Sequence, residues 1–172
     1  ILIFFLQESL NWTTKASSGT LVVVGIIAII VQGGLIGPLV KQFGEMRLTL
    51  IGSGFILVAC ALLITAPKEN ATINIYSAVS FLAVGAGLIT PTLRALISKK
   101  LDVDKQGSIL SNLQGLQSLG GVLGIAMAGR VYDSYGPKSP FIAGSIILIF
   151  MIYLIAEGKT NNSMFDQKTE VL

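Results

Sequence analysis

The sequence holds no histidine and a single cysteine, Cys60. With no imidazole and only one thiol, neither a His/Cys metal centre nor a disulfide framework can be assembled. Cys60 lies within an apolar run and reads as a small packing residue. Charge is also scarce: Asp, Glu, Lys and Arg make up 12% of the chain, about half the share of an ordinary soluble domain. The net charge of +3 is small and its basic residues are scattered among short connectors, so no nucleic-acid surface is expected. The long apolar runs contain no Asp or Glu. Paired acids and a His-Glu motif are therefore missing from the candidate spans. The chain does not read as an intramembrane enzyme, and no cofactor is implied.

What the chain does have is apolar length. Hydrophobic residues fill 52% of its 172 positions. A spanning helix needs roughly 20 mostly apolar residues, so there is room for about five or six spans. Charge-poor runs predict spans over residues 19–40, 48–66, 73–98, 107–130 and 140–156. The apolar opening, residues 1–6, would rise only about 9 Å as helix, well short of a hydrocarbon core about 30 Å thick. It reads as the end of a helix that starts upstream. We expect an all-α membrane protein with one transmembrane domain over residues 1–156 and a polar tail over 157–172, solvated and disordered. Trp12 fits an interfacial anchor in the first polar link.

The links sort into two alternating sets. One carries Lys41, Arg47, Arg94, Lys99, Lys100, Lys105, Lys159 and Lys168; the other carries Lys15, Lys68, Arg130 and Lys138. Basic residues favour the cytoplasmic side, so the first set, and with it the C-terminus, is expected inside the cell. Arg94 falls within a span, about one turn from its cytoplasmic end. Its head could snorkel back to water, or the residue could serve substrate or gating. Gln32, Gln114 and Gln117 also fall within spans and must find partners or a wet cavity, which makes them candidates for a substrate cavity. Gly115 shares four-residue spacing with Ser111, as Gly120 and Gly124 do with Ala128. Each set lies along one helical face, suited to close packing or to sliding. Gly85, Gly87 and Pro91 mark another span in which packing or gating is expected, with a kink near Pro91.

The connector Gly37-Pro38-Leu39-Val40-Lys41-Gln42-Phe43-Gly44-Glu45-Met46-Arg47 joins two apolar helices. Gly44 sits where a tight turn calls for positive φ, and Gly37 where a helix could approach a neighbour closely. With Gly37, Leu39, Gly44 and Arg47 at their offsets, the stretch resembles the cytoplasmic loop signature of major facilitator superfamily transporters, in its weaker copy between the eighth and ninth helices. Lys41 and Gln42 stand where the stronger copy has Asp and Arg, so the charge-relay role does not carry over. The run from Gly85 to Pro91, and the one from Gln106 through Gly115, Gly120, Gly121 and Gly124, resemble the tenth and eleventh helices of drug:proton antiporters such as tetracycline-efflux-like permeases. In Gly124-Ile125-Ala126-Met127-Ala128-Gly129, Ile125 replaces the Pro of the antiporters' Gly-Pro motif.

The resemblance covers nearly the whole chain and implies the C-terminal six-helix half of a major facilitator fold, its first helix truncated. It further implies proton-coupled efflux of a small-molecule substrate across a bacterial-type inner membrane. The expected partners are membrane lipid, the substrate, and an N-terminal six-helix half or another subunit. The alternative is a non-transporting membrane module that pairs with a partner subunit.

Overall fold

A computed structural model describes residues 2–66, 71–99 and 103–169, with side chains at all of these except 9, 10, 71, 103–105 and 158–169. Every regular element among them is helical. An all-helical chain satisfies its backbone hydrogen bonds within each segment, as the bilayer requires. The order is α1 (Leu2–Leu10), α2 (Thr14–Ile30), a π-helical turn (Val31–Leu35) running directly into α3 (Ile36–Phe43), α4 (Glu45–Thr65), α5 (Ala71–Lys99), α6 (Val103–Tyr135) and α7 (Ser139–Thr169). Parts of two expected connectors, residues 67–70 and 100–102, lie outside the described residues.

The helices run past the limits that hydropathy suggests, because a helix does not stop where the hydrocarbon ends. Thr13 sets the start of α2, its hydroxyl accepting from the Ala16 amide at 3.3 Å. Ahead of it Asn11 turns the chain with φ 52°, a left-handed conformation that asparagine tolerates. Trp12 packs near Tyr76, ring centroids 6.0 Å apart. Gly44, at φ 74°, is the single residue between α3 and α4, and its amide donates to the Val40 carbonyl at 2.9 Å. Only glycine takes that φ without strain, so two helices can meet at one residue. The helical run of α5 passes through Pro91. Within the expected polar tail α7 continues beyond residue 156 to Thr169, and residues 170–172 lie outside the described residues.

The centre of the bundle is the antiparallel pair α4 and α5. A Cβ placed on Gly85 would stand 2.6 Å from the Gly52 carbonyl oxygen and 2.6 Å from Ile56 Cγ1. One placed on Gly52 would stand 3.0 Å from the Gly85 carbonyl oxygen. Each backbone thus fills the space that the other's missing side chain leaves. One to two turns along, Thr49 and Thr92 join their hydroxyls at 2.9 Å. Each hydroxyl also reaches a carbonyl of its own helix, Glu45 and Leu88 respectively. A hydroxyl has one proton, so one threonine bonds along its helix while the other bonds across. At the end of the pair Lys99 forms an ion pair with Glu45.

Apolar clusters flank this crossing. Val31, Leu48 and Leu88 pack together with Leu39 and Phe55 toward one end, and Phe5, Leu6, Leu63, Ile75 and Val79 toward the other. Cys60 is buried. Outside this core α7 exposes Ile146, Ile147, Phe150 and Leu154, an apolar face suited to lipid. Among the described residues four helical stretches are long and apolar enough to cross a membrane: Thr14–Phe43, Glu45–Thr65, Thr72–Lys99 and Ser139–Glu157. Among the described residues α6 also has the length, yet it is not in that set. Its glycines, serines and glutamines dilute its apolar character.

Gly85→Ala should destabilise the protein by about 1–3 kcal/mol through overpacking. Gly54→Ala, where a Cβ meets nothing within 4 Å, should cost nothing or stabilise. Thermal melting of the two variants in the same detergent distinguishes them.

Candidate functional site

Arg94 lies on α5, and Gln114 and Gln117 lie on α6. The Arg94 Nη2 donates to Gln114 Oε1 at 2.6 Å and reaches Gln117 Oε1 at 3.4 Å. The helix directions explain the convergence. Side chains lean toward the start of their own helix, so on antiparallel α5 and α6 the arginine and the glutamines lean toward one another. Gln106 donates to the Ser98 carbonyl at 3.1 Å, which fixes the register. By that register Arg94 is level with about residue 110, and the two glutamines sit roughly 6–10 Å further from the α5–α6 connection. The guanidinium therefore reaches inward, away from the end of the helix. A snorkelling arginine would point the other way.

A cavity of about 340 Å³ opens beside this cluster, lined by Arg94, Ala95, Ser98, Leu110 and Gln114. The ion pair among the described residues joins Lys99 to Glu45, leaving Arg94 held by neutral amides. An ionised group within a span faces protein or water rather than lipid. The surroundings of α6 agree, since this helix is exposed from Gln114 to Met127 and carries Gln114, Gln117, Ser118 and four glycines in that stretch.

A larger cavity, about 460 Å³, lies among Val23, Phe55, Tyr76, Ser77, Ser80, Phe81 and Val84. Phe55 and Phe81 stack in it with centroids 5.7 Å apart. It holds hydroxyls and aromatic rings but no charge, so its means of recognition differ from those of the arginine cluster.

The remaining residues singled out from sequence are dispersed. Gln32 stands in the π-helical turn, exposed, with Val31 beside it packed toward Gly87. A Cβ on Gly87 would meet Val31 Cγ1 at 3.1 Å. Gly85 belongs to the α4–α5 crossing and Pro91 to the same helix two turns on. Gly37 differs from the expectation of close approach: it is exposed and a Cβ there would meet nothing within 4 Å. Leu39 is half-buried against the Val31 cluster, and Arg47 is exposed. Gly115, Gly120 and Gly124 likewise have no described atom within 4 Å of a would-be Cβ, so their small faces pack against no other helix among the described residues. Sequence reading passed over Gly52, Thr49 and Thr92. Thr49, Gly52 and Ser53 recur at three- and four-residue spacing, a signal that was available but did not name its partner helix.

Long apolar helices beside a polar, glycine-rich helix that borders a cavity define a multi-pass integral membrane protein. The chain belongs to the Major Facilitator Superfamily, whose profile matches residues 1–125, a family of membrane transporters rather than enzymes. It is 26% identical over 130 residues to the tetracycline resistance protein, class C, of Escherichia coli, covering 76% of this chain and 32% of that protein. It is 25% identical over 155 residues to the class H protein of Pasteurella multocida, covering 88% and 38%. It is 23% identical over 191 residues to the human Hippocampus abundant transcript 1 protein, covering 93% and 38%. The chain thus spans about a third of the length of these relatives, between 32% and 38%. No solved structure matches it.

A double-mutant cycle tests the cluster. Arg94→Ala and Gln114→Ala should couple by about 0.5–1.5 kcal/mol in thermal stability. Arg94→Ala and Gln32→Ala, which share no partner, should be additive within about 0.5 kcal/mol.

Proposed function

We propose that this chain forms the C-terminal six-helix half of a proton-coupled efflux transporter for small molecules, working against a second six-helix unit. The observation that carries the reading is the exposed polar wall of α6, with Arg94, Gln114 and Gln117 gathered at a cavity. In folds of this kind the substrate site lies between two repeats, and an uncovered polar wall within a membrane calls for water or a second unit. The tetracycline resistance proteins among the relatives support efflux as the direction. Glu8, Glu45 and Asp133 sit near helix ends, and Glu157 closes the apolar stretch of α7. Proton coupling needs an acid that titrates within the membrane, and in this reading the second unit provides it.

The bias of eight basic residues against four in alternate links orients the protein with the α3–α4 turn, the α5–α6 connection and the C-terminus in the cytoplasm. The bacterial resistance proteins among the relatives support a bacterial-type inner membrane. Arg94 then stands near the cytoplasmic end of α5 with its guanidinium reaching inward, and the glycine faces of α6 meet the second unit and permit its rocking.

Labelled tetracycline in inverted membrane vesicles tests the reading. With the chain alone, uptake should stay at background. When it is joined to the N-terminal half of a tetracycline resistance relative, uptake should appear and require an acid interior. Transport by the chain alone, or uptake indifferent to the pH gradient, would contradict the proposal. If insertion is confirmed and neither sample moves drug, a non-transporting module is favoured.

A further inference from the structure

Donor chemistry at the α5–α6 cavity goes a step beyond the transporter reading and rests on it. Gln114 and Gln117 both turn their amide oxygens to Arg94. A primary amide has one acceptor end and one donor end, so the –NH2 groups of both glutamines are left for other partners. The guanidinium has five N–H donors in a planar fork, and two amide oxygens engage only part of it. The cluster offers hydrogen-bond donors and a positive charge, its two amide oxygens face Arg94, and Ser98 adds a hydroxyl to the cavity wall. Among the described residues no carboxylate pairs with this arginine. Beside the donors, Ala95 and Leu110 give the cavity apolar walls.

We propose that Arg94, Gln114 and Gln117 form a receptor for the carboxylate of a small organic anion, whose apolar part lies against Ala95 and Leu110. A planar oxyanion matches the guanidinium fork and can accept from the amides as well. A cation would meet the like charge of the guanidinium, and a neutral ester would offer weaker acceptors. The cavity of about 340 Å³ lies at the small end of ligand sites, which suits a one-ring acid better than a large polycyclic drug. The inward reach of Arg94 places the charge where a ligand within the membrane would meet it.

The test uses the 172-residue chain in nanodiscs of zwitterionic lipid, with tritiated benzoate as the probe. Benzoate should bind saturably, and neither methyl benzoate nor trimethylphenylammonium should compete. Arg94→Gln should weaken binding at least about tenfold. Gln114→Glu should do the same by giving Arg94 an internal carboxylate, and it should keep or raise thermal stability, which separates lost binding from lost folding. Failure of benzoate to bind the wild type, equal competition by the methyl ester, or unchanged binding in both variants would overturn the proposal. A further arm adds anionic phosphatidylglycerol: if this lipid abolishes benzoate binding, the donors serve a headgroup and the small-anion site is refuted. Binding here needs no gradient and no second unit. It can therefore fail while tetracycline efflux succeeds in vesicles, or succeed while efflux fails.

Discussion

At the crossing of α4 and α5, the carbonyl oxygens of Gly52 and Gly85 each occupy the space where the other residue's Cβ would stand. In lipid, apolar surfaces gain little by leaving the solvent, and helix association depends on how closely backbones approach. The two glycines supply that approach, and other contacts are arranged around it. Thr49 and Thr92 come within 2.9 Å because the backbones are already near. Lys99 reaches Glu45 at the end of the same pair. The Val31 and Leu63 clusters then close the space on either side, and α2 is brought against α5 with the π-helical turn opposite Gly87.

A core built this way leaves α6 at the margin. Both α6 and α7 are largely exposed, α7 almost wholly apolar and α6 mixed, with Leu116, Val122 and Ile125 exposed among its polar residues. The exposed side chains of α7 include isoleucine, phenylalanine and leucine, which lipid can cover at no cost. Along α6, glutamine, serine and glycine interrupt the apolar residues, and its neighbour α5 presents an arginine. Leaving unsatisfied polar groups in hydrocarbon costs several kcal/mol each by general estimates, so the same exposure has a different meaning on the two helices. It fits a member of a transporter family, in which one wall must stay open to substrate.

Much of the fold is legible in the sequence because membrane helices follow a local rule: an apolar run of sufficient length, bounded by polar links. Gly44 was legible for the same reason, since a one-residue joint between two helices demands a particular φ. The helix ends were less so. Apolar runs mark the hydrocarbon, whereas helices such as α7 continue through Glu157 into polar sequence. Contacts between helices were the least legible. Gln114 and Gln117 could be placed on one face from their spacing, but their meeting with Arg94 depends on the antiparallel register of α5 and α6. Gly37 and Gly85 look alike in sequence, each a glycine in an apolar helix. Only the neighbour distinguishes them: Gly52 for one and open space for the other.

The central claim is that the glutamine face of α6 meets water inside the membrane. Single cysteines at Gln114 and Gln117, and one at Ile146 on α7, can be treated with a membrane-impermeant thiol reagent in intact bilayers. The buried native Cys60 serves as an internal background. The account predicts rapid labelling at 114 and 117 with none at 146 or 60. If 114 and 117 resist the impermeant reagent and react only with a lipid-soluble one, as 146 should, the face is covered by lipid and the account is wrong.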